Sequence, residues 1–111
     1  MERIVTLQDM QDKTDEWIRK YGVRYFSELT NLALLVEEVG ELARVMARKF
    51  GEQSFKEGET ENLSEEMADI LFVMTCLANQ TGVNLTEAMN ETFLKKTRRD
   101  GERHLNNNKL K

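Results

Sequence analysis

The sequence has no proline, a single cysteine, a single histidine and few aromatic residues, 7% in all. With no proline and few aromatics, the composition is that of a polar-surfaced helical protein and not of a β-sandwich. Cys76 has no second cysteine, so an internal disulfide is excluded. The uninterrupted apolar runs are only a few residues long, whereas crossing a bilayer takes about 20, so no membrane span is expected. The N-terminal stretch lacks the basic flank and apolar core of a secretory signal, and a cytoplasmic location is the expectation. Basic charge is also short: 16 Lys and Arg stand against 20 Asp and Glu, a net charge of −4. That is too acidic for the broad positive footprint that duplex nucleic acid demands.

What is present fits one helical domain. At 111 residues there is little room for a second one, and the apolar residues recur at helical spacing in four segments. The first is expected over about residues 7–21, capped by Thr6 with Asp9 three residues on, and stopped by Gly22. Its apolar face would be Leu7, Met10, Trp17, Ile18 and Tyr21, with Trp17 read as core. The second spans about residues 28–50, with Ser27 as cap and Gly51 just past its end. The third starts after Asn62, carries Glu65 three residues on and ends near Gln80 before Gly82. The fourth starts after Asn84, with Glu87 three residues on, and runs through the basic stretch from Lys95 to Arg99. Residues 51–61 read as a loop. The expected fold is all-α and four-helix-bundle-like, a domain over residues 1–101 followed by a polar tail over 102–111. Four short helices leave apolar stripes that one chain of this size does not cover, so completion by oligomerisation is expected.

Two acidic stretches interrupt the apolar pattern. Glu37-Glu38-Val39-Gly40-Glu41 lies on the second helix and Glu65-Glu66-Met67-Ala68-Asp69 on the third, and acids three residues apart share a helix face. Stepping about 100° per residue puts Glu38 inside the arc of Leu34, Leu35, Leu42, Val45 and Met46, with Glu41 at its edge. The same step puts Glu66 inside the arc of Met67, Ile70, Leu71, Val73, Met74 and Leu77, with Asp69 at its margin. A carboxylate on a core-facing stripe costs several kcal/mol unless it is compensated or neutralised. Two unit charges about 4 Å apart repel by on the order of 4 kcal/mol at an effective dielectric near 20. Neither arc holds a Lys or Arg, Arg44 lying well outside and Arg48 narrowly outside but further along the helix, so a divalent cation is the fitting counter-charge.

Oxygen ligands without histidine or thiolate favour a hard ion, Mg²⁺ with Mn²⁺ as the alternative, and Mg²⁺ commonly completes its shell with water and substrate phosphate. Di-iron chemistry needs a Glu-x-x-His pair from each of two helices, and the lone His104 lies in the tail. Zinc is disfavoured on the same ground. Cys76, between Thr75 and Leu77 on an apolar helix, reads as a packed core thiol.

The pattern Glu-Glu-x-x-Glu followed after 24 residues by Glu-x-x-Asp resembles the signature of the all-α nucleoside triphosphate pyrophosphohydrolases, the MazG-like family. The flanking Leu34, Leu42, Ala43, Ile70 and Leu71 are similar too, and the resemblance covers about residues 26–99. It implies a homodimer or homotetramer that hydrolyses a nucleoside triphosphate to the monophosphate and pyrophosphate with Mg²⁺. House-cleaning of the nucleotide pool is the role it implies. Carried over by position, Glu38, Glu41, Glu66 and Asp69 become the metal ligands, and Glu37 or Glu41 the base for the attacking water. Tyr25 and Phe26 fall where relatives receive the base, with Asn31 nearby. Asn90, Lys96 and Arg99 fall in the basic segment that holds the phosphates, while Arg48 and Lys49 read equally as phosphate contacts or as cations favoured by the helix C-terminal dipole. The usual Asn-x-Lys-Phe reads Asn90-Glu91-Thr92-Phe93 here, with threonine in place of lysine. Readings from other classes are a non-catalytic helical oligomerisation module and a regulator that senses nucleotide or metal without cleavage.

Overall fold

The computed structural model describes residues 3–59 and 62–111, so Glu61, the last residue of the expected loop, lies outside the described residues. Four α-helices account for most of it: α1 Leu7–Trp17, α2 Glu28–Phe50, α3 Leu63–Thr81 and α4 Leu85–Asp100. Among the described residues there is no strand. Each helix begins where local chemistry dictates. Thr6 Oγ1 accepts the Asp9 amide at 3.0 Å, while the Asp9 carboxylate accepts the Val5 and Thr6 amides at 3.1 Å each, a complete capping box. Asn62 and Asn84 each accept the amide three residues on, of Glu65 and Glu87, both at 3.0 Å. Gly82, left-handed at φ 73°, ends α3, and the Val83 N–H turns back to the Ala78 carbonyl at 2.9 Å.

The end of the first helix departs from the expected α-helix over 7–21. After Trp17 it widens into a π-helical turn, Ile18–Gly22. Gly22 permits this, because a side chain there would stand 3.3 Å from Ile18 Cδ1 and 3.8 Å from Trp17 Cζ3. Val23 follows at φ 71°, ψ −60°, with the Arg24 N–H donating to the Gly22 carbonyl at 2.8 Å. This is a tight γ-turn of the strained kind, held at a β-branched residue that is 85% exposed. Val23→Gly is therefore expected to stabilise the protein by about 1 kcal/mol, the left-handed penalty less the entropy cost of glycine. Denaturant titration measures it, and a destabilised variant would mean that the turn carries no strain.

The main packing is α2 against α3, with α1 lying on α3 and also touching α4. Val45 and Thr75 are fully buried at this junction, joined by Val73, Cys76 and Ala78. On α1 the buried residues are Gln11 and Thr14, joined by Ile18 of the π-turn; of the apolar set read from the sequence Ile18 is buried, whereas Leu7, Trp17 and Tyr21 remain 37%, 41% and 59% exposed. Gln11 is accepted inside because every polar atom it carries is matched. Its Nε2 donates to Asn79 Oδ1 at 3.1 Å and to the Val83 carbonyl at 2.8 Å, and its Oε1 accepts the Leu85 amide at 2.9 Å. That side chain fastens the α3–α4 turn to α1.

Much apolar surface stays outside. Leu29, Leu32, Val36 and Val39 form an exposed stripe along α2, and α4 buries no residue, leaving Phe93 and Leu94 open. After α4 the tail continues in exposed turns, with a short 3₁₀ segment Asn108–Leu110. No described helix is long and apolar enough to cross a membrane.

Candidate metal centre and nucleotide pocket

The α2–α3 seam brings three of the singled-out acids together. Glu38 on α2 and Glu66 and Asp69 on α3 each offer a carboxylate oxygen, and the three oxygens lie within 4.8 Å of one another. Burial, then the facing charges of Asp69 and Glu66 and those of Glu41 and Glu37, raise the Glu38 carboxyl above its ordinary range. The donors are all oxygen and all acidic, and their convergence suits a hard divalent cation.

Glu41 is not part of that convergence. Its Oε2 accepts from Arg44 Nε at 3.3 Å, and the side chain is half exposed. The sequence arc set Arg44 aside because it lies well off the apolar stripe, yet an arginine three residues on reaches back along the helix surface. Glu37 is exposed on the neighbouring face.

Beside the cluster, a cavity of about 300 Å³ opens between the π-turn, the start of α2 and the middle of α3. Leu34, one turn before Glu38, and Val73, one turn after Asp69, line it, so cavity and cluster share one seam. Its walls are apolar: Trp17 meets Phe72 edge-on at 5.7 Å, and Cys76, its thiol raised by burial, closes the floor with Ile18. Phe26 and Tyr25, the residues that the resemblance sets at the base, border it in different states. Phe26 is 57% exposed. The Tyr25 hydroxyl is already engaged, donating to Asp15 Oδ1 at 2.7 Å and accepting from Asn79 Nδ2 at 3.1 Å. Burial and the Asp15 bond push its pKa up to about 12, so it stays protonated. Asn31 is buried and donates to Gln80 Oε1 at 2.8 Å, which aligns the cavity rim more than it frees a contact for a ligand.

The basic residues singled out on α4 lie elsewhere in this chain. Asn90, Lys96 and Arg99 are exposed on a helix whose main packing is against α1, while the acids lie between α2 and α3. Arg99 pairs with Asp100 at 2.9 Å. Lys49 lies over the Phe50 ring, 5.5 Å from its centroid. Sequence reasoning missed Phe72 and Arg24 on the cavity wall, read Trp17 as core, and missed the role of Glu59, which reaches Arg44 and Arg48 from the α2–α3 connection. Neither Phe72 nor Glu59 carried a signal, since an apolar residue on an apolar helix and an acid in a polar loop are both ordinary.

Acids of α2 and α3 converging across one seam, with an apolar pocket beside them, fit an all-α nucleotide pyrophosphohydrolase. Residues 26–104 match the MazG nucleotide pyrophosphohydrolase domain, and the chain belongs to that family. It is a hydrolase acting on nucleotide pyrophosphate bonds. The YpjD protein of Bacillus subtilis strain 168 is 39% identical over 99 residues, covering 88% of this chain and 89% of that protein. YvdC of the same strain is 31% identical over 100 residues, covering 84% and 94%. The crystal structure of Bacillus subtilis YPJD matches with a TM-score of 0.74 at 38% identity, over 85% of this chain and 97% of that one. That of the Bacillus-conserved MazG protein, described as a nucleotide pyrophosphohydrolase, matches with a TM-score of 0.70 at 36% identity, over 85% and 91%.

Proposed function

We propose that the protein hydrolyses a nucleoside triphosphate to the nucleoside monophosphate and pyrophosphate with Mg²⁺, Mn²⁺ being the alternative ion. The observation that carries this reading is the convergence of Glu38, Glu66 and Asp69 on the seam that also holds the apolar cavity. These three residues would hold the ion, with Glu41 joining them by exchanging its bond to Arg44. A bound divalent cation supplies neutralisation of the phosphate oxygens and acidification of the attacking water. The water oxygen bonds to the α-phosphorus as the bond to the α,β-bridging oxygen breaks, and pyrophosphate leaves. Glu37 or Glu41 receives the water proton. Phe26 and the cavity take the base, with Tyr25 and Asn31 setting the shape of the rim, and Lys49 meets the phosphates.

The exposed stripes on α2 and α4 support a homodimer or homotetramer, since apolar surface on this scale is normally covered by a partner. A second copy would then bring Asn90, Lys96 and Arg99 of its α4 toward the phosphates. House-cleaning of the nucleotide pool in the cytoplasm is the role that fits this chemistry.

The test is a panel of canonical and modified nucleoside triphosphates incubated with Mg²⁺ and resolved for products. Equimolar monophosphate and pyrophosphate is the expected result. Release of inorganic phosphate with diphosphate would contradict attack at the α-phosphorus, and nucleotide-dependent stabilisation without any turnover would favour the sensing regulator instead.

A further inference from the structure

One turn beyond Glu41, Arg44 and Arg48 stand four residues apart on α2 and converge on a single carboxylate, that of Glu59 from the α2–α3 connection. Glu59 Oε2 accepts from Arg44 Nη1 at 2.6 Å. Its Oε1 accepts the Lys56 amide at 2.6 Å and lies 4.0 Å from Arg48 Nε. Two guanidinium groups and a backbone N–H thus surround the two oxygens of one carboxylate. The arrangement is under-filled. Arg48 Nη1 is committed to the Arg44 carbonyl at 3.2 Å, but among the described residues the buried Nε has no hydrogen-bond partner. A planar carboxylate cannot serve every donor there, whereas a phosphate group offers more acceptor oxygens in a tetrahedral array, and guanidinium groups bind it in paired fashion.

Position connects this arrangement to the acid cluster. Arg44 donates through Nε to Glu41 while holding Glu59 through Nη1, so one guanidinium joins the edge of the metal centre to the loop. We propose that Arg44 and Arg48 form the seat for the substrate's polyphosphate, and that Glu59 occupies this seat as an intramolecular stand-in which the nucleotide must displace. The inference rests on the nucleotide-hydrolase reading for its ligand. The Lys56 amide, followed by the charges of Arg44 and Arg48, keeps the Glu59 carboxyl below its ordinary range, so it stays ionised and a genuine competitor at neutral pH. An occupied seat reduces apparent affinity in proportion to the fraction of molecules in which it is open. It therefore disfavours ligands with little phosphate charge and passes those with enough to win the exchange.

The experiment is a calorimetric titration of inorganic tripolyphosphate into the full chain without divalent metal. Glu59→Gln keeps the shape and removes the charge, and its affinity is expected to rise on the order of tenfold over the unaltered protein. Glu59→Asp, with a shorter arm, is expected to bind more tightly too, by less, and decides the matter if the glutamine variant folds poorly. Arg44→Gln and Arg48→Gln are each expected to weaken binding on the order of tenfold. Equal or weaker binding by both Glu59 variants would overturn the proposal and leave Glu59 as a loop tether alone. Hydrolysis plays no part in the titration. A chain that cleaves nucleotides but shows no Glu59 effect refutes the seat and keeps the enzyme, and the converse result refutes the enzyme and keeps the seat.

Discussion

Replacing Glu38 by glutamine is expected to reduce nucleotide hydrolysis by on the order of 10²–10³-fold, the range for losing one preorganised electrostatic partner of a transition state. The same change should raise the melting temperature of the metal-free protein. Both effects have one source. Glu38 is drawn into the α2–α3 seam beside Glu66 and Asp69, and its carboxyl is raised above the ordinary 4.5 by burial first and by those charges next. A raised folded value means the folded chain favours the protonated form. The cost of the ionised form is therefore absent below the unfolded-state value, grows as pH rises toward the raised folded value and is fully present above it. Glutamine carries no such cost.

In the unaltered protein a bound divalent ion would offset it, so Mg²⁺ is expected to raise the melting temperature near pH 7, with little effect near pH 4 where Glu38 is protonated. In Glu38→Gln the Mg²⁺ effect should be small at both. Differential scanning calorimetry at the two pH values separates these outcomes. A variant that loses activity and also melts lower in the absence of metal would mark Glu38 as a structural acid instead.

Gln11→Ala is expected to destabilise the fold more than any exposed substitution on α1. Truncation orphans the Leu85 amide at the start of α4, the Asn79 side-chain oxygen and the Val83 carbonyl, all now satisfied by this one side chain. Unmatched buried groups cost about 1–3 kcal/mol each, and some water will enter, so a total of about 2–4 kcal/mol is expected. At about 4–8 °C per kcal/mol for a domain near this size, the melting temperature should fall by roughly 8–30 °C. Gln11→Glu should not rescue it, because its second oxygen would face two acceptors in place of donating to them. Gln8→Ala is the matched control. Gln8 donates only to Asp12 on the exposed face, so a loss within about 0.5 kcal/mol is expected. The consequence reaches the pocket, since Asn79, which loses the Gln11 side chain and keeps its bond to the residue-11 carbonyl, also donates to the Tyr25 hydroxyl at the cavity rim.

The parts of this structure that were legible in the sequence are those decided within a few residues. Thr6, Ser27, Asn62 and Asn84 cap their helices through atoms three residues away, so the helix starts follow from local chemistry. The acid cluster was legible because Glu38 and Glu66 break an apolar arc, and a helix has one geometry. The direction of the Glu41 carboxylate was not legible, for a different reason. Its backbone position is fixed by the arc, but its carboxylate direction depends on Arg44, and charged side chains at an arc's edge have rotamers to choose from. The inner face of α1 was hidden because hydrophobic periodicity treats Gln11 and Thr14 as solvent-facing, whereas matched hydrogen bonds let them be buried. Glu59 lies in a segment without periodicity, and the π-turn at Ile18–Gly22 depends on contacts that only the folded chain makes.

Anomalous diffraction from crystals grown with Mn²⁺, recorded at the manganese edge, most directly tests whether the α2–α3 seam is a metal centre. The account predicts a peak bonded to carboxylate oxygens of Glu38, Glu66 and Asp69, with Glu41 turned away from Arg44 toward the ion. Manganese bound only at other surface acids, with those three side chains unmoved and unligated, would contradict it.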